Sequence, residues 1–195
     1  MVVKRICVFC GSSAGCRPEY RAAAVEMGQE LVKRNLGLVY GGGKVGLMGA
    51  LADAVLASGG EAIGVIPENL MAREIGHSGL TTLHVVRSMH ERKALMADLS
   101  DAFVAMPGAF GTLEEFFEVL TWSQLGLHTK PCGLLNIMNF YSPLLQMLDH
   151  AVEERFLKVE NRNLVLARNS VGELLEALAQ WRPTRFEKWL DRETT

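Results

Sequence analysis

The chain has 195 residues, a length typical of one α/β domain, so we expect residues 1–195 to form a single domain with one buried core. Hydrophobic residues make up 49% and charged residues 22%, which excludes a predominantly disordered protein. The formal net charge is −2, so no overall positive field exists to collect a nucleic acid polymer or an anionic membrane, and any anion site must be local.

The first residues contain no apolar run of signal-peptide length, and no stretch of about 18 apolar residues follows. We therefore expect a cytoplasmic protein without a membrane span. Cys7 and Cys10 have the C-x-x-C spacing of some metal sites, but both fall within one predicted strand and no second pair follows. We interpret the cysteines as reduced structural residues and predict no metal site.

Short apolar runs alternate with longer segments of helical period, which is typical of βαβ units and a parallel sheet covered on both faces. The chain is thus predicted to be an α/β protein, a Rossmann-like three-layer sandwich with a parallel sheet of about seven strands flanked by helices. Strands are predicted at residues 5–10, 37–40, 62–66, 82–86, 102–106 and 132–137, with a short one at 164–165. Helices are predicted at residues 18–34, 46–58, 89–99, 112–125, 142–153 and 171–181.

A glycine tract follows the second predicted strand. Residues 41–46 read G-G-G-K-V-G and formally satisfy the pattern G-x-G-x-x-G. In dinucleotide enzymes this turn follows the first strand, and a Walker A loop would need Ser or Thr after Lys44, so neither class fits. The remaining function is close approach of backbone amides to an anion or ribose. The alternative is that the glycines serve only the turn and helix packing.

Residues 67–79 have no clear period and are predicted to form a long irregular loop beside the site. Ser88, with Glu91 three residues later, resembles a capping box and predicts the start of a helix. That start carries two cations, Arg92 and Lys93, against the local helix dipole, which favours a functional role over a solvated charged turn.

Residues 107–115, P-G-A-F-G-T-L-E-E, combine a turn, a helix start and two acids. Free backbone amides at a helix start can hold phosphate, and Thr112 can add a hydroxyl donor. Glu115 lies about one turn further and can face the same crevice. Glu114 points elsewhere around the helix, so we expect it to be solvated. A carboxylate beside a phosphate site is suited to act on the attached sugar.

These segments resemble the LONELY GUY (LOG) phosphoribohydrolases in the order of the family's own motifs: C-G-S-S at residues 10–13, G-G-G through G-L-M-G at 41–49, Arg92-Lys93, and the 107–115 loop. The match runs from about residue 7 to residue 135. The family signature of the last loop is P-G-G-x-G-T-x-x-E, and this chain has Ala109 in place of the second glycine. A backbone position that needs positive φ would disfavour that alanine.

The resemblance implies hydrolysis of the N-glycosidic bond of cytokinin riboside 5′-monophosphates or AMP, without a metal or redox cofactor, by a homodimer. It implies Arg92 and Glu115 as catalytic residues, with the role of Glu115 left open among stabilising an oxocarbenium-like state, orienting the ribose hydroxyls and activating water. The residues implied to bind the nucleotide are Ser12, Ser13, Gly42, Gly43, Glu74, Lys93, Gly108, Ala109, Phe110, Gly111 and Thr112.

Three other functions are weighed against hydrolysis. A nucleotide-binding or carrier protein of the same fold would use the glycine loops but would not need Glu115 beside Arg92. Lysine decarboxylation would need a Schiff-base lysine and a partner for the pyridinium nitrogen, and no local pattern supplies them. An oxidoreductase would bind a nicotinamide cofactor, which the position of the glycine tract disfavours.

Overall fold

The computed structural model describes residues 3–71 and 76–182. In that part of the chain the strands are β1 (Arg5–Phe9), β2 (Gly37–Tyr40), β3 (Ala62–Pro67), β4 (Thr82–Val86), β5 (Ala102–Ala105), β6 (Cys132–Leu135) and β7 (Val165–Arg168). The helices are α1 (Pro18–Lys33), α2 (Gly46–Ala57), α3 (Glu68–Met71), α4 (Met89–Asp98), α5 (Phe110–Gln124), α6 (Ser142–Glu153), α7 (Val159–Arg162) and α8 (Val171–Gln180).

The seven strands form one parallel sheet in the order β4-β3-β2-β1-β5-β6-β7. The chain moves from β1 toward β4 and then returns to add β5 on the other side of β1. The loops that follow β1 and β5 therefore separate at their carboxyl ends and leave a crevice, which is where open α/β sheets bind ligands.

Successive residues of β1 contribute to two cores, because side chains alternate across a strand. Ile6 and Val8 pack in one buried cluster with residues of α1, α2 and α8. Cys7 and Phe9 pack in the other, with residues of α4 and α5 and half-buried leucines of α6. The result is the predicted Rossmann-like three-layer sandwich, with helices on both faces of a parallel sheet.

Several predicted boundaries were wrong. Residues 67–79 were predicted as irregular throughout, but β3 extends to Pro67 and α3 follows it. Helix α5 begins at Phe110, before the predicted residue 112, because part of the 107–115 loop already forms its first turn. Strand β6 ends at Leu135, since the chain turns through a 3-10 segment at Ile137–Asn139. Strand β7 is four residues long and lies at the edge of the sheet, and α7 was not predicted.

Candidate active site

A cavity of about 410 Å³ opens at the carboxyl ends of β1 and β5. Its walls come from the loop after β1, the start of α2, the start of α4, the loop after β5 with the first turn of α5, and the segment after β6. Its lining residues are Cys10, Gly11, Ser12, Ser13, Ala14, Gly15, Tyr20, Leu47, Met48, Leu70, Met89, Arg92, Pro107, Gly108, Ala109, Gly111, Thr112, Glu114, Glu115 and Phe140.

Backbone hydrogen bonds hold the loops of this cavity against one another. Gly11 N–H donates to the Pro107 carbonyl at 3.0 Å, and Leu47 N–H donates to the Gly11 carbonyl at 3.0 Å. Gly46 has φ +60°, and a Cβ there would run into the backbone of Ser12. Only glycine allows both that conformation and the close approach, so the start of α2 can lie directly under the serine loop.

Two helix N-termini face the cavity, α2 at Gly46 and α5 at Phe110. Among the described residues, no side chain caps either helix. The amides of a first helical turn have no partner within the helix, and the helix dipole adds partial positive charge. The cavity can therefore hold an anion without a lysine in contact with it.

Ala109, the N-cap residue of α5, has φ −104° and ψ −149°. This φ is negative, so the residue does not need the conformational freedom of glycine. The methyl group in place of the signature glycine is accommodated by the backbone, and the loop keeps its path.

Arg92 is 6% exposed and lies in the second turn of α4. Ser88 caps this helix as predicted, accepting from Glu91 N–H at 3.1 Å. Nε of Arg92 donates to the Val65 carbonyl at 3.1 Å, and Nη2 donates to the Gly41 carbonyl at 3.2 Å. The guanidinium is thus fixed by the carboxyl ends of β3 and β2.

Glu115 approaches this guanidinium from α5. Its Oε1 lies 3.9 Å from Nη2 of Arg92, and its side chain is 12% exposed. The distance allows an ion pair but exceeds that of a hydrogen bond. The two residues predicted to be catalytic therefore lie together and nearly buried in the cavity, which the N-termini of α2 and α5 also face.

The negative charge of Glu115 also acts on the strand beneath it. Burial, followed by the charge of Glu115, raises the pKa of the Cys7 thiol well above its ordinary value, although Arg92 opposes that shift. The same two causes raise the pKa of Cys10. Both thiols stay protonated at neutral pH and are poor nucleophiles. Within residues 3–71 and 76–182 no cluster of three or more His, Cys, Asp or Glu could hold a metal ion.

Comparison with known proteins identifies the family. A family model described as "Possible lysine decarboxylase" matches residues 48–178. The cytokinin riboside 5′-monophosphate phosphoribohydrolase LOG1 of Arabidopsis thaliana is 52% identical over 185 residues, which are 95% of this chain and 86% of LOG1. The chain belongs to the LONELY GUY (LOG) family. The enzyme LOG of Oryza sativa is 49% identical over 180 residues, which are 92% of this chain and 74% of its own.

Solved structures share the fold of this LOG-family chain at low sequence identity. The molybdenum cofactor carrier protein of Chlamydomonas reinhardtii aligns with a TM-score of 0.68 and 19% identity, covering 91% of this chain and 96% of its own. The molybdenum cofactor binding protein of Rippkaea orientalis aligns with a TM-score of 0.68 and 23% identity, covering 90% and 95%. At these identities the likeness establishes the fold alone.

Six of the residues that the LOG resemblance implied in nucleotide binding line the cavity: Ser12, Ser13, Gly108, Ala109, Gly111 and Thr112. Phe110 belongs to the same loop, but the residue is 90% exposed and is not among those that line the cavity. Glu74 falls outside the described residues. Lys93 lies beside Arg92, but its ammonium pairs with Glu114 and Glu118 of α5.

Gly42 and Gly43 are buried, and their backbones contact the segment that begins at residue 76. The Gly42 carbonyl accepts from His77 N–H at 3.0 Å, and Gly43 forms an antiparallel bridge with Gly76. His77 is further held by Nε2 at 3.0 Å from Asp53 Oδ1. The two glycines therefore hold this segment against the sheet and do not line the cavity, which agrees with the structural alternative left open for the tract.

Glu114 was predicted to be solvated, and this was only half correct. Its side chain is 53% exposed, yet it lines the cavity and its Oε1 lies 2.6 Å from Lys93 Nζ. The prediction that Glu114 points away from the crevice was wrong, because both Glu114 and Glu115 line the cavity and Lys93 of α4 binds the Glu114 carboxylate.

An aromatic wall of the cavity, formed by Tyr20 and Phe140, was not predicted from the sequence. Tyr20 and Phe140 meet edge to face at 5.8 Å between ring centroids, and Phe140 meets the buried Tyr141 at 5.0 Å. Met138 and Asn139 have positive φ of 52° and 59° in the turn that presents Phe140. The position of Phe140 just after a strand next to β5 was a signal that could have revealed it.

The described part of the chain contains no helix that is both long and apolar enough to cross a bilayer.

Proposed function

We propose that this LOG-family protein hydrolyses the N-glycosidic bond of nucleoside 5′-monophosphates, AMP and cytokinin riboside 5′-monophosphates among them, to free base and ribose 5-phosphate. The observation that carries the proposal is the Arg92–Glu115 pair at 3.9 Å, nearly buried beside the uncapped start of α5. The names of the relatives, cytokinin riboside 5′-monophosphate phosphoribohydrolases, give the substrate class.

In this proposal the 5′-phosphate binds at the first turn of α5. The amides of Phe110 and Gly111 supply donors there, and the buried hydroxyl of Thr112 supplies another. The exposed hydroxyls of Ser12 and Ser13 face the same cavity from the loop after β1. Gly108 fits because a Cβ at this position would run into the Thr112 side chain. Ala109 contributes backbone only.

Glu115 then acts at the ribose. In the reaction the C1′–N bond breaks, and its electron pair leaves with the base, which takes up a proton. The oxygen of a water molecule bonds to C1′, and that water gives up a proton. Positive charge develops on the ribose ring in between, and a carboxylate within one helical turn of the phosphate can stabilise it, orient the hydroxyls or accept the proton of the water.

In this proposal Arg92 is the counterion of the Glu115 carboxylate. Two strand carbonyls hold Nε and Nη2, while Nη1 has only the Met89 sulfur at 3.8 Å among the partners found in the described chain. A sulfur atom is a weak acceptor, so Nη1 can donate to an oxygen or nitrogen of a bound nucleotide. We assign Arg92 this double role of counterion and substrate contact.

The remaining residues implied by the family stay proposals with different support. Glu74 is proposed to contact the nucleotide on the strength of the family motif alone. Gly42 and Gly43 are proposed to act through the segment that they seat. Phe110, exposed at the rim of the cavity, is proposed to act through its amide. The aromatic wall of Tyr20 and Phe140 offers apolar contact area to a bound nucleotide.

A carrier or nucleotide-binding protein of the same fold is the main alternative. A protein that only binds a nucleotide has no evident use for a carboxylate 12% exposed beside the anion site, where it repels the phosphate. Lysine decarboxylation, which the family description names, needs an amine that can form a Schiff base with pyridoxal phosphate. Among the described residues that line the cavity there is no lysine.

We also propose a cytoplasmic homodimer. All four cysteines are free, and three of them are buried, which suits a reducing compartment. Apolar side chains exposed on the described surface, those of Val85, Met89 and Phe110 among them, suit coverage by a second subunit. Light scattering coupled to size-exclusion chromatography tests the dimer.

The test of the proposed function is chromatography of the products formed from AMP and from isopentenyladenosine monophosphate. The expected result is base and ribose 5-phosphate in equal amounts, with adenosine, which lacks the phosphate, cleaved far more slowly. Release of adenosine and inorganic phosphate from AMP would mean phosphatase chemistry. Binding of AMP without any product would favour the carrier.

A further inference from the structure

Lys93 ties the start of α4 to α5 through two ion pairs. Its Nζ lies 2.6 Å from Glu114 Oε1 and 3.0 Å from Glu118 Oε1. The Lys93 side chain is only 12% exposed, while Glu114 and Glu118 are 53% and 27% exposed, so the pair with Glu118 is the better shielded from solvent. Lys93 directly follows Arg92 on α4, and Glu114 directly precedes Glu115 on α5.

Helices α4 and α5 contribute to one buried cluster, in which Met96 of α4 and Phe116 of α5 pack, but each helix lies over different strands. Helix α4 packs on β3 and β4, whereas α5 packs on β5, β1 and β6. Between the reacting side chains, the 3.9 Å separation of Arg92 and Glu115 is too long for a hydrogen bond. The hydrogen-bonded ion pairs between α4 and α5 in the described chain are those of Lys93.

Glu118 depends on this lysine. Its side chain is 27% exposed, and its Oε2 is buried without a hydrogen-bond partner in the described structure. A buried carboxylate needs a nearby cation, and Lys93 is the cation bound to its other oxygen. Burial lowers the pKa of Lys93, but its bonds to Glu114 and Glu118 outweigh this, so the pKa lies above its ordinary value and the amine stays charged.

We propose that Lys93 is a positioning residue, which, paired with Glu118, holds α4 and α5 at the spacing that sets Glu115 against Arg92. This inference rests on the proposed hydrolysis and replaces the direct nucleotide contact that the family motif implied for Lys93. The ammonium is engaged by α5, and Lys93 is not among the described residues that line the cavity.

The two roles differ in kinetics. A lysine that binds the nucleotide directly lowers KM, and its loss raises KM with kcat retained. A lysine that positions the catalytic pair acts on kcat, because a displacement of about 1 Å can lower a rate by about 100-fold. Glu118 separates the roles further, because it does not line the cavity. Its loss should lower kcat only if the Lys93–Glu118 ion pair positions the two helices.

The experiment is steady-state hydrolysis of AMP by the full chain and four variants: Lys93→Met, Lys93→Arg, Glu118→Gln and the control Lys33→Met. Lys33 forms a comparable pair with Glu30, at 2.8 Å, but on the exposed surface of α1. We expect kcat to fall about 10- to 100-fold in Lys93→Met and about 3- to 10-fold in Glu118→Gln, with KM changed less than about threefold. Lys93→Arg restores most of kcat, and Lys33→Met matches the wild type.

Thermal unfolding of each variant separates a positioning role from loss of the fold. A raised KM with unchanged kcat in Lys93→Met, together with a fully active Glu118→Gln, overturns the positioning role and leaves the hydrolase intact. A wild type that releases no base from AMP overturns both. If Lys93→Met fails to fold, Glu118→Gln decides, and unchanged kcat in that variant contradicts the proposal.

Discussion

Nη2 of Arg92 donates to the Gly41 carbonyl at 3.2 Å and lies 3.9 Å from Oε1 of Glu115. One nitrogen thus links the end of strand β2 to the carboxylate on α5. The cation is held by the sheet before any ligand binds, so the electrostatics of the site are preorganised. The shape of the guanidinium should therefore matter as much as its charge.

Lysine is not expected to substitute for Arg92. An ammonium lacks the planar fork of donors that binds both carbonyls and also faces Glu115. We expect kcat for AMP to fall by about 100-fold or more, close to the effect of Arg92→Ala. Initial rates of base release measure this. An Arg92→Lys enzyme within a few-fold of wild type would mean that charge alone, without geometry, is what the site requires.

Ala109→Gly is expected to keep or raise activity. The backbone has φ −104° at this position, so neither alanine nor glycine is strained there, and glycine restores the family signature. Stability falls slightly, by about 0.4–1 kcal/mol, because glycine adds freedom to the unfolded chain. Urea unfolding and kcat/KM for AMP are the measurements. A large loss of activity with a native melting curve would contradict this view of the loop.

Gly46→Ala is expected to damage both stability and the site, whereas Gly59→Ala provides a matched control. Both glycines have positive φ, +60° and +77°, but a Cβ at Gly59 meets nothing within 4 Å, while one at Gly46 meets the backbone of Ser12. Gly59→Ala should cost about 1–2 kcal/mol and leave kcat unchanged. Gly46→Ala should unfold at lower urea than the control and lose nucleotide affinity. Equal effects of the two substitutions would disprove the role assigned to the Ser12 contact.

Glu61→Gln tests a pH dependence away from the site. The hydrogen bond from Arg5 holds the pKa of Glu61 below its ordinary value. A carboxyl whose folded pKa is lowered stabilises the protein above its unfolded pKa, and that stabilisation is lost as the pH falls through the folded pKa. Both side chains are 39% exposed, so we expect a loss below about 1 kcal/mol at pH 7 that disappears in acid. A difference that grows as the pH falls would have the wrong sign.

The fold was largely predictable from the sequence because hydrophobic period and turn residues are local. The strand β2, four residues from Gly37 to Tyr40, and the cap at Ser88 were placed correctly for this reason. Residues after strand six were misjudged, since the turn at Met138 and Asn139 depends on positive φ in residues other than glycine. Such strain is stabilised by tertiary contacts, which leave no local sign in the sequence.

The proximity of Arg92 and Glu115, the pair that we propose to be catalytic, agrees with a motif that combines a helix start with an acid one turn later. The position of Lys93 was not predictable. Its partners Glu114 and Glu118 lie more than 20 residues along the chain on another helix, so only the packing of α4 and α5 decides which way the ammonium points. Adjacent residues with similar charge, Arg92 and Lys93, thus face different surroundings.

The most direct test of the account compares wild type with Glu115→Gln for AMP binding and for release of adenine and ribose 5-phosphate in phosphate-free buffer. The exposed Glu26→Gln of α1 serves as the matched control. We predict that Glu115→Gln binds AMP at least as tightly as wild type, because a negative charge near the phosphate is removed, and loses about 100- to 10,000-fold in kcat. Release of adenine at the wild-type rate by Glu115→Gln would contradict the assignment of Glu115 as the catalytic carboxylate.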